Sequence, residues 1–175
     1  MTDDVVPLRP ADLVESEALS RALLDLNNSH AEELSELEPA RLQHLVSEAF
    51  LARRIGEADA LLIAFDQDAD YDSPNFLWFQ SRYPRFVYVD RIVVGSQARG
   101  RGLARRLYLD LFEAARRAGH EHIVCEVNSD PPNPGSDAFH ASLGFAEVGS
   151  AAIHSGAKTV RYLLRPLSEE PAKPA

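Results

Sequence analysis

The segment from Val89 to Ala104 constrains the fold more than any other part of the chain. It reads Val89-Asp90-Arg91-Ile92-Val93-Val94-Gly95-Ser96-Gln97-Ala98-Arg99-Gly100-Arg101-Gly102-Leu103-Ala104, an apolar strand, a glycine-bearing turn and the start of a helix. That helix, Leu103–Ala118, is amphipathic and stops at Gly119. The first turn of a helix has amide N–H groups with no intrahelical partner. Together with the helix dipole they make a seat for phosphate oxygens. Gly100 and Gly102 let the backbone come close to such a ligand, and Arg99 and Arg101 add positive charge. The turn is not a P-loop, because no Gly-Lys-Ser/Thr follows. It is not the dinucleotide fingerprint either, because Arg105 stands three positions beyond Gly102. On the loop alone, a plain turn with surface arginines stays open as a reading.

Around this unit the pattern alternates between strands and helices. Val5–Leu8 is a short apolar run, and Asp12 is placed to cap a helix over Leu13–Leu26. A second helical stretch includes Leu34 and Leu37, breaks at Pro39 and resumes through Leu42, Leu45 and Val46. Ala49–Ile55 and Asp59–Phe65 form a hairpin around Gly56-Glu57. Asp66–Pro74 is acidic and turn-rich, which predicts an exposed loop. Phe86–Val94 and Ile123–Val127 are strands, Ser136–Leu143 is a short helix that Gly144 can end, and Phe145–Val148 and Thr159–Leu164 close the sheet. The order is that of a single α/β domain around a mixed sheet, residues 1–166, with residues 167–175 as a disordered tail.

Composition limits the partners. The 175 residues suit one domain, and no apolar run approaches a membrane span. A lone cysteine, Cys125, excludes an internal disulfide and packs as a core thiol. An acidic start, Met1-Thr2-Asp3-Asp4, disfavours a signal peptide, so a cytoplasmic protein is expected. The net charge of −9 disfavours nucleic acid. It is uneven. Residues 1–75 carry 17 acids and 5 bases, −12, and residues 76–165 carry 8 acids and 12 bases, +4. An anionic cofactor meeting a cationic substrate fits that split, and so does chance. His44, His120, His122 and His154 form no zinc-like pair, so no metal is expected.

Two ordered signatures resemble the GNAT superfamily of acyl-CoA-dependent N-acetyltransferases. The family's loop pattern Q/R-x-x-G-x-G/A fits Gln97-Ala98-Arg99-Gly100-Arg101-Gly102 and also Arg99-Gly100-Arg101-Gly102-Leu103-Ala104. Its downstream pattern, an acid on the next strand and then N-x-x-A/S-x-x-F/L-Y-x-x-x-G-F, is matched by Glu126 and by the run Asn133–Phe145. Two departures are a long loop with Pro131-Pro132 and His140 in place of the family's tyrosine. The resemblance covers residues 86–165 well and residues 1–66 in element order only.

The resemblance implies a mostly antiparallel sheet of about six or seven strands flanked by about four helices. It also implies an acetyl group moved from acetyl-CoA to a primary amine by direct attack in a ternary complex. Ile92, Val93 and Val94 would hold the acyl and pantetheine arm, the amides of Arg99, Gly100, Arg101, Gly102, Leu103 and Ala104 the pyrophosphate, and Asn133 the cofactor arm. Such a reaction needs a proton acceptor for the amine, a donor for the thioester oxygen and a proton for the thiolate. Glu126 is the first candidate base, since a carboxylate amid an apolar strand is costly without work or a partner. Asp90, placed on the face of Tyr88, Ile92 and Val94, is its rival, or an ion-pair partner of Arg91. His140 is the candidate acid.

In the family the helix–helix region near residues 27–33 often borders the acceptor site, so Asn28, His30 and Glu33 are candidates for recognition, with capping as the alternative. The aromatic group with Trp78 and Phe79 is an acceptor wall, core, or a homodimer surface. The acceptor is a small-molecule or peptide amine, cationic if the acidic half borders it. The rival functions are a non-catalytic acyl-CoA-binding module and a structural domain with an empty cleft.

Overall fold

The computed structural model of the chain describes residues 2–30 and 34–167. The elements run β1 (Val5–Pro7), α1 (Pro10–Glu15), α2 (Glu17–Asn28), α3 (Pro39–Glu48), β2 (Leu51–Ile55), β3 (Ala60–Asp66), α4 (Pro74–Gln80), β4 (Phe86–Val94), α5 (Leu103–Arg117), β5 (His122–Asp130), α6 (Pro134–Ser142), β6 (Ala146–Ile153) and β7 (Lys158–Pro166). The strands form one seven-stranded sheet in the order β1-β2-β3-β4-β5-β7-β6. β4 and β5 pair in parallel, and every other neighbouring pair is antiparallel. The sheet is therefore mixed and mostly antiparallel, as expected.

The described residues contain six α-helices rather than about four, for local reasons. The expected helix over Leu13–Leu26 splits at Ser16, whose hydroxyl oxygen accepts the Leu19 N–H at 3.1 Å and starts α2 afresh. Pro39 begins α3 instead of interrupting a longer helix, because its missing N–H is harmless only in a first turn. Leu34 and Leu37 accordingly lie outside any helix. The aromatic run after Pro74 is α4, also opened by its proline. Leu167, expected in the tail, is buried and donates its N–H to the Glu121 carbonyl at 2.9 Å. The rest of that tail lies outside the described residues.

Each face of the sheet buries its own apolar layer. One layer gathers Leu23, Leu42, Leu45, Phe76 and Phe79 from α2, α3 and α4 against Phe65, Tyr88, Val124 and Tyr162. The other packs α5 against Leu62, Val87, Ile123 and Cys125. α5 earns its place by a stripe of Leu103, Leu107, Tyr108, Leu111, Phe112 and Ala115, spaced at three to four residues and buried along its length. That stripe fixes the start of α5, and so the glycine turn, against the end of β4.

Candidate active site

The cleft begins with one surplus residue. β3 and β4 pair Ala64 with Val89 and Ile63 with Arg91, so Asp90 is a bulge with no partner across the ladder. A bulge inverts the alternation beyond it. Tyr88 packs in the first layer, whereas Ile92 and Val94 pack against the second. The expectation that Asp90 shares a face with Tyr88, Ile92 and Val94 is thus corrected, since strict alternation fails at the bulge. On its other side β4 pairs with β5 only from Phe86–His122 to Tyr88–Val124. Beyond that point the strands part and open a cleft of about 440 Å³. Its walls include Ile92 and Val93 on β4 and Cys125, Glu126 and Asn128 on β5.

Glu126 sits just past the fork. Tyr88 donates its hydroxyl to Glu126 Oε1 at 3.0 Å. Oε2 is buried and forms no hydrogen bond to a described residue. Burial pushes the carboxyl from its ordinary 4.5 up to about 7; the nearby Asp90 charge adds to this, while the Tyr88 hydroxyl opposes it. A carboxyl so poised gives and takes a proton near neutral pH.

Asp90 lines the same cleft with its valences filled. Tyr71 donates its hydroxyl to Oδ1 at 2.5 Å, and Arg91 Nε donates to Oδ2 at 2.8 Å. Arg91 is itself buried and bonds Asn27 Oδ1 at 2.8 Å. The ion pair named as the alternative for Asp90 is the arrangement present. His140 is buried in the cleft wall with both ring nitrogens engaged. Nδ1 lies 2.7 Å from the Ser136 carbonyl, which can only accept, so Nδ1 carries the hydrogen. Nε2, 2.7 Å from Tyr108 Oη, then accepts a hydrogen bond from the phenol hydroxyl. Burial lowers the pKa of the ring. A neutral imidazole holding these two bonds has no free proton for a leaving thiolate, which argues against the acid role expected of His140.

The glycine turn has the predicted form. Gly100 and Gly102 have φ of +81° and +71°, and a Cβ on either would touch nothing within 4 Å, so the turn is open toward solvent or ligand. The first amide bond of α5 joins Arg106 N–H to the Gly102 carbonyl at 3.1 Å. The amides of Leu103, Ala104 and Arg105 donate to no described residue. Bare amides at a dipole's positive end fit a diphosphate. Arg101 points elsewhere: its guanidinium pairs with Asp3 and, at 3.6 Å, with Asp59. Arg99 reaches His30 Nε2 at 3.3 Å on the cleft rim. Asn133 caps α6 through Ser136 N–H at 3.3 Å and lines the cleft.

The sequence matches the acetyltransferase (GNAT) family over residues 32–145. The chain belongs to this family. Its members transfer acetyl groups from acetyl-CoA, and the open amides of Leu103–Arg105 fit that group's diphosphate. Solved structures show the same fold at low identity. The ribosomal-protein-S18-alanine N-acetyltransferase of Escherichia coli has a TM-score of 0.66 at 16% identity, covering 98% of this chain and 98% of its own. The NatC complex bound to Gag peptide and CoA gives 0.69 at 14%, covering 96% and 100%. An aminoglycoside 6'-acetyltransferase type Ii gives 0.67 at 14%, covering 96% and 99%. No curated protein sequence matches the chain.

Within this GNAT domain the expected acceptor residues scatter. His30 lines the cleft, held by Leu26 carbonyl at 3.1 Å. Asn28 does not line it: its amide clasps the Leu37 backbone, donating to the carbonyl at 3.0 Å and accepting the N–H at 2.9 Å. Glu33 lies outside the described residues. Phe79 is fully buried in the core, and Trp78 stacks on Tyr162 behind the cleft. Neither lines this cleft, because α4 turns Phe79 into the core and Trp78 onto Tyr162, the core alternative of the sequence reading. The sequence reading missed Tyr71, Asn75 and Tyr108, all of which line the cleft. Tyr108 had a signal, four positions beyond Ala104 on the buried stripe of α5. Tyr71 had none, since its loop was read as exposed; it stacks on Phe65 at 4.5 Å. Among the described residues no group of three or more His, Cys, Asp or Glu side chains could hold a metal ion. No described helix is long and apolar enough to cross a membrane.

Proposed function

We propose that the chain transfers an acetyl group from acetyl-CoA to the primary amine of a peptide or small molecule, in a ternary complex, with Glu126 as general base. The observation that carries this is the buried carboxyl at the fork of β4 and β5, its pKa held up to about 7 by burial, in a cleft lined also by Tyr108 of α5, the helix whose first-turn amides are bare.

The amides of Leu103–Arg105 and the glycine turn bind the diphosphate. Ile92, Val93 and the side chain of Asn133 flank the arm that leads to the fork. Bound there, acetyl-CoA would supply an acetyl thioester whose carbon accepts the amine nitrogen as its C–S bond breaks, and the proton that the nitrogen then sheds would end on the departing thiolate to give free coenzyme A thiol. Glu126 takes the ammonium proton of the entering acceptor, directly or through one water, and so frees the nitrogen lone pair. Tyr88 holds the carboxylate in place through Oε1. The acceptor enters by the part of the cleft lined by Arg41, Asp72, Ser73, His154 and Lys158. Those groups carry both signs of charge, so cationic amines, amino acids and peptide N-termini all belong in the screen.

Release of free thiol from acetyl-CoA, followed across such a panel, tests the reading. At least one amine class turns over, and Glu126→Gln lowers kcat on it by about 100-fold or more while acetyl-CoA affinity, measured by calorimetry, stays within about twofold. Thiol release by no amine, with acetyl-CoA still bound, would return the chain to the non-catalytic binding module.

A further inference from the structure

Of the four carboxyl oxygens of Asp90 and Glu126 in the cleft, Glu126 Oε2 is the one that lacks a hydrogen-bond partner among the described residues. A buried carboxylate oxygen with no donor is costly once the proton leaves. The group that can meet this need is on α4. Asn75 is buried and lines the cleft, close enough for its amide to favour the charged form of Glu126.

Asn75 does not float. Tyr162 donates its hydroxyl to Asn75 Oδ1 at 2.9 Å, in a fully buried contact. With Oδ1 so occupied, the NH2 end is the end of the amide left to serve Glu126; the flipped amide would offer an oxygen to an anion. Tyr162 lies directly across the β5–β7 ladder from Glu126, yet its hydroxyl serves the amide and not the carboxyl. Its ring is clamped in turn. Trp78 stacks on it with centroids 4.2 Å apart and planes 19° from parallel, and the Arg82 guanidinium covers Trp78 at 4.0 Å. The indole fits only because β6 offers bare backbone at Gly149, where a Cβ would stand 2.5 Å from Trp78 Cζ2.

We propose that Asn75, held by Tyr162 and Trp78, is a positioning residue that supplies Glu126 Oε2 with its donor as the carboxyl ionises. This rests on Glu126 being the base for its catalytic meaning, but not for its test. The role of Trp78 is then to brace Tyr162 rather than to wall a substrate pocket.

The test reads the carboxyl itself. In full-length protein with 13C-labelled glutamate, Glu126 is assigned by the signal lost in Glu126→Gln, and its titration is followed in wild type, Asn75→Leu and Tyr162→Phe. Loss of one amide bond to a charged group moves the midpoint upward by about one pH unit in Asn75→Leu. Tyr162→Phe, which frees the amide without deleting it, moves it the same way by less. Should Asn75→Leu fail to fold, Tyr162→Phe still decides, since it deletes one oxygen and keeps the ring. Midpoints unchanged in the folded variants overturn the proposal. The acidic limb of kcat should follow the carboxyl, with kcat recovering to within about threefold on its alkaline side, a recovery that a packing defect would not give. A carboxyl that moves while the rate profile stays put sustains Asn75's role and instead overturns Glu126 as the base.

Discussion

Replacing Glu126 by glutamine removes one ionisable group and little else. The side chain keeps its length, and its carbonyl can still accept the Tyr88 hydroxyl. Burial first, with the Asp90 charge in support, lifts the native carboxyl from 4.5 to about 7. The folded chain therefore holds this proton more tightly than the unfolded chain does. That advantage is fully present below about pH 4.5 and is lost as pH rises through about 7. The span from 4.5 to about 7, at about 1.4 kcal/mol per pH unit, amounts to about 3 kcal/mol. Glutamine does not titrate. The unfolding free energy of Glu126→Gln relative to wild type should thus climb by about 3 kcal/mol between about pH 4 and pH 8.5.

Urea unfolding of both proteins across that range measures it, and taking the difference cancels every other titrating group they share. In thermal melts the same gain corresponds to roughly 6–12 °C for a chain of this length. The variant should be the more stable protein at alkaline pH and the less active one at every pH. A difference that stays flat to within about 0.5 kcal/mol would refute the reasoning, because Glu126 would then titrate in the folded chain as it does in the unfolded one.

Three further outcomes test other parts of the site. Gly102→Glu should weaken acetyl-CoA binding by about 100-fold or more in calorimetry, by filling the open turn with a like charge. Gly102→Ala should bind while losing about 1–2 kcal/mol of stability to the positive φ, and equal affinity in the Glu variant would remove the turn from the site. Asp3→Asn should free Arg101 for the phosphates and tighten acetyl-CoA about two- to fivefold at low salt, an effect that fades at about 0.5 M salt; no salt-dependent change would leave Arg101 outside the site. His140→Leu should cost about 1–3 kcal/mol by stranding the Tyr108 hydroxyl. Burial lowers the His140 pKa, so its contribution is present above the ordinary value of 6.5 and is lost on acidification. The acid-side decline in stability should therefore be shallower in the variant, as urea unfolding at pH 5 and 8 would reveal.

How much of this was legible in the sequence depended on whether the signal was local. Phe86–Val94 is the strand its apolar run indicates, and α5 begins at Leu103, because the stripe and the glycines are contiguous in the chain. Glu126 and the turn could be singled out for the same reason. The bulge could not. Whether Asp90 is in register depends on Ile63 and Ala64, about 26 residues away in the chain, and no periodicity within β4 reports it. Nor could the partners of His140 be read from its own helix, since Tyr108 reaches it from α5. Trp78 and Phe79 looked like a pocket wall because composition tells that large aromatic surface must be covered without telling by what. Tyr71 sits in a stretch read as an exposed loop and Asn75 between that loop and the aromatic run, and their hydroxyl and amide acquire meaning only when β4 and β7 arrive beside them.

The bulge also explains how one cleft can hold two carboxyls with different tasks. Asp90 and Glu126 stand on adjacent strands that part between them, near enough for the charge of one to raise the pKa of the other. Asp90 has a guanidinium on one oxygen and a phenol on the other. Glu126 has a phenol on one oxygen and no hydrogen bond to a described residue on the other. Environments that differ in this way separate the roles of two like groups. The negative charge of Asp90 beside the fork raises the proton affinity of Glu126, and so makes its carboxylate a better acceptor for the proton of an arriving ammonium. Deleting the Asp90 charge as Asp90→Asn should then lower the Glu126 midpoint below about 7 while leaving Arg91 buried without its partner. The two effects separate by measurement: the carboxyl titration moves down, and the urea midpoint falls at every pH. A Glu126 midpoint that held at about 7 in a folded Asp90→Asn protein would mean that burial alone sets it, and that the two carboxyls do not speak to each other.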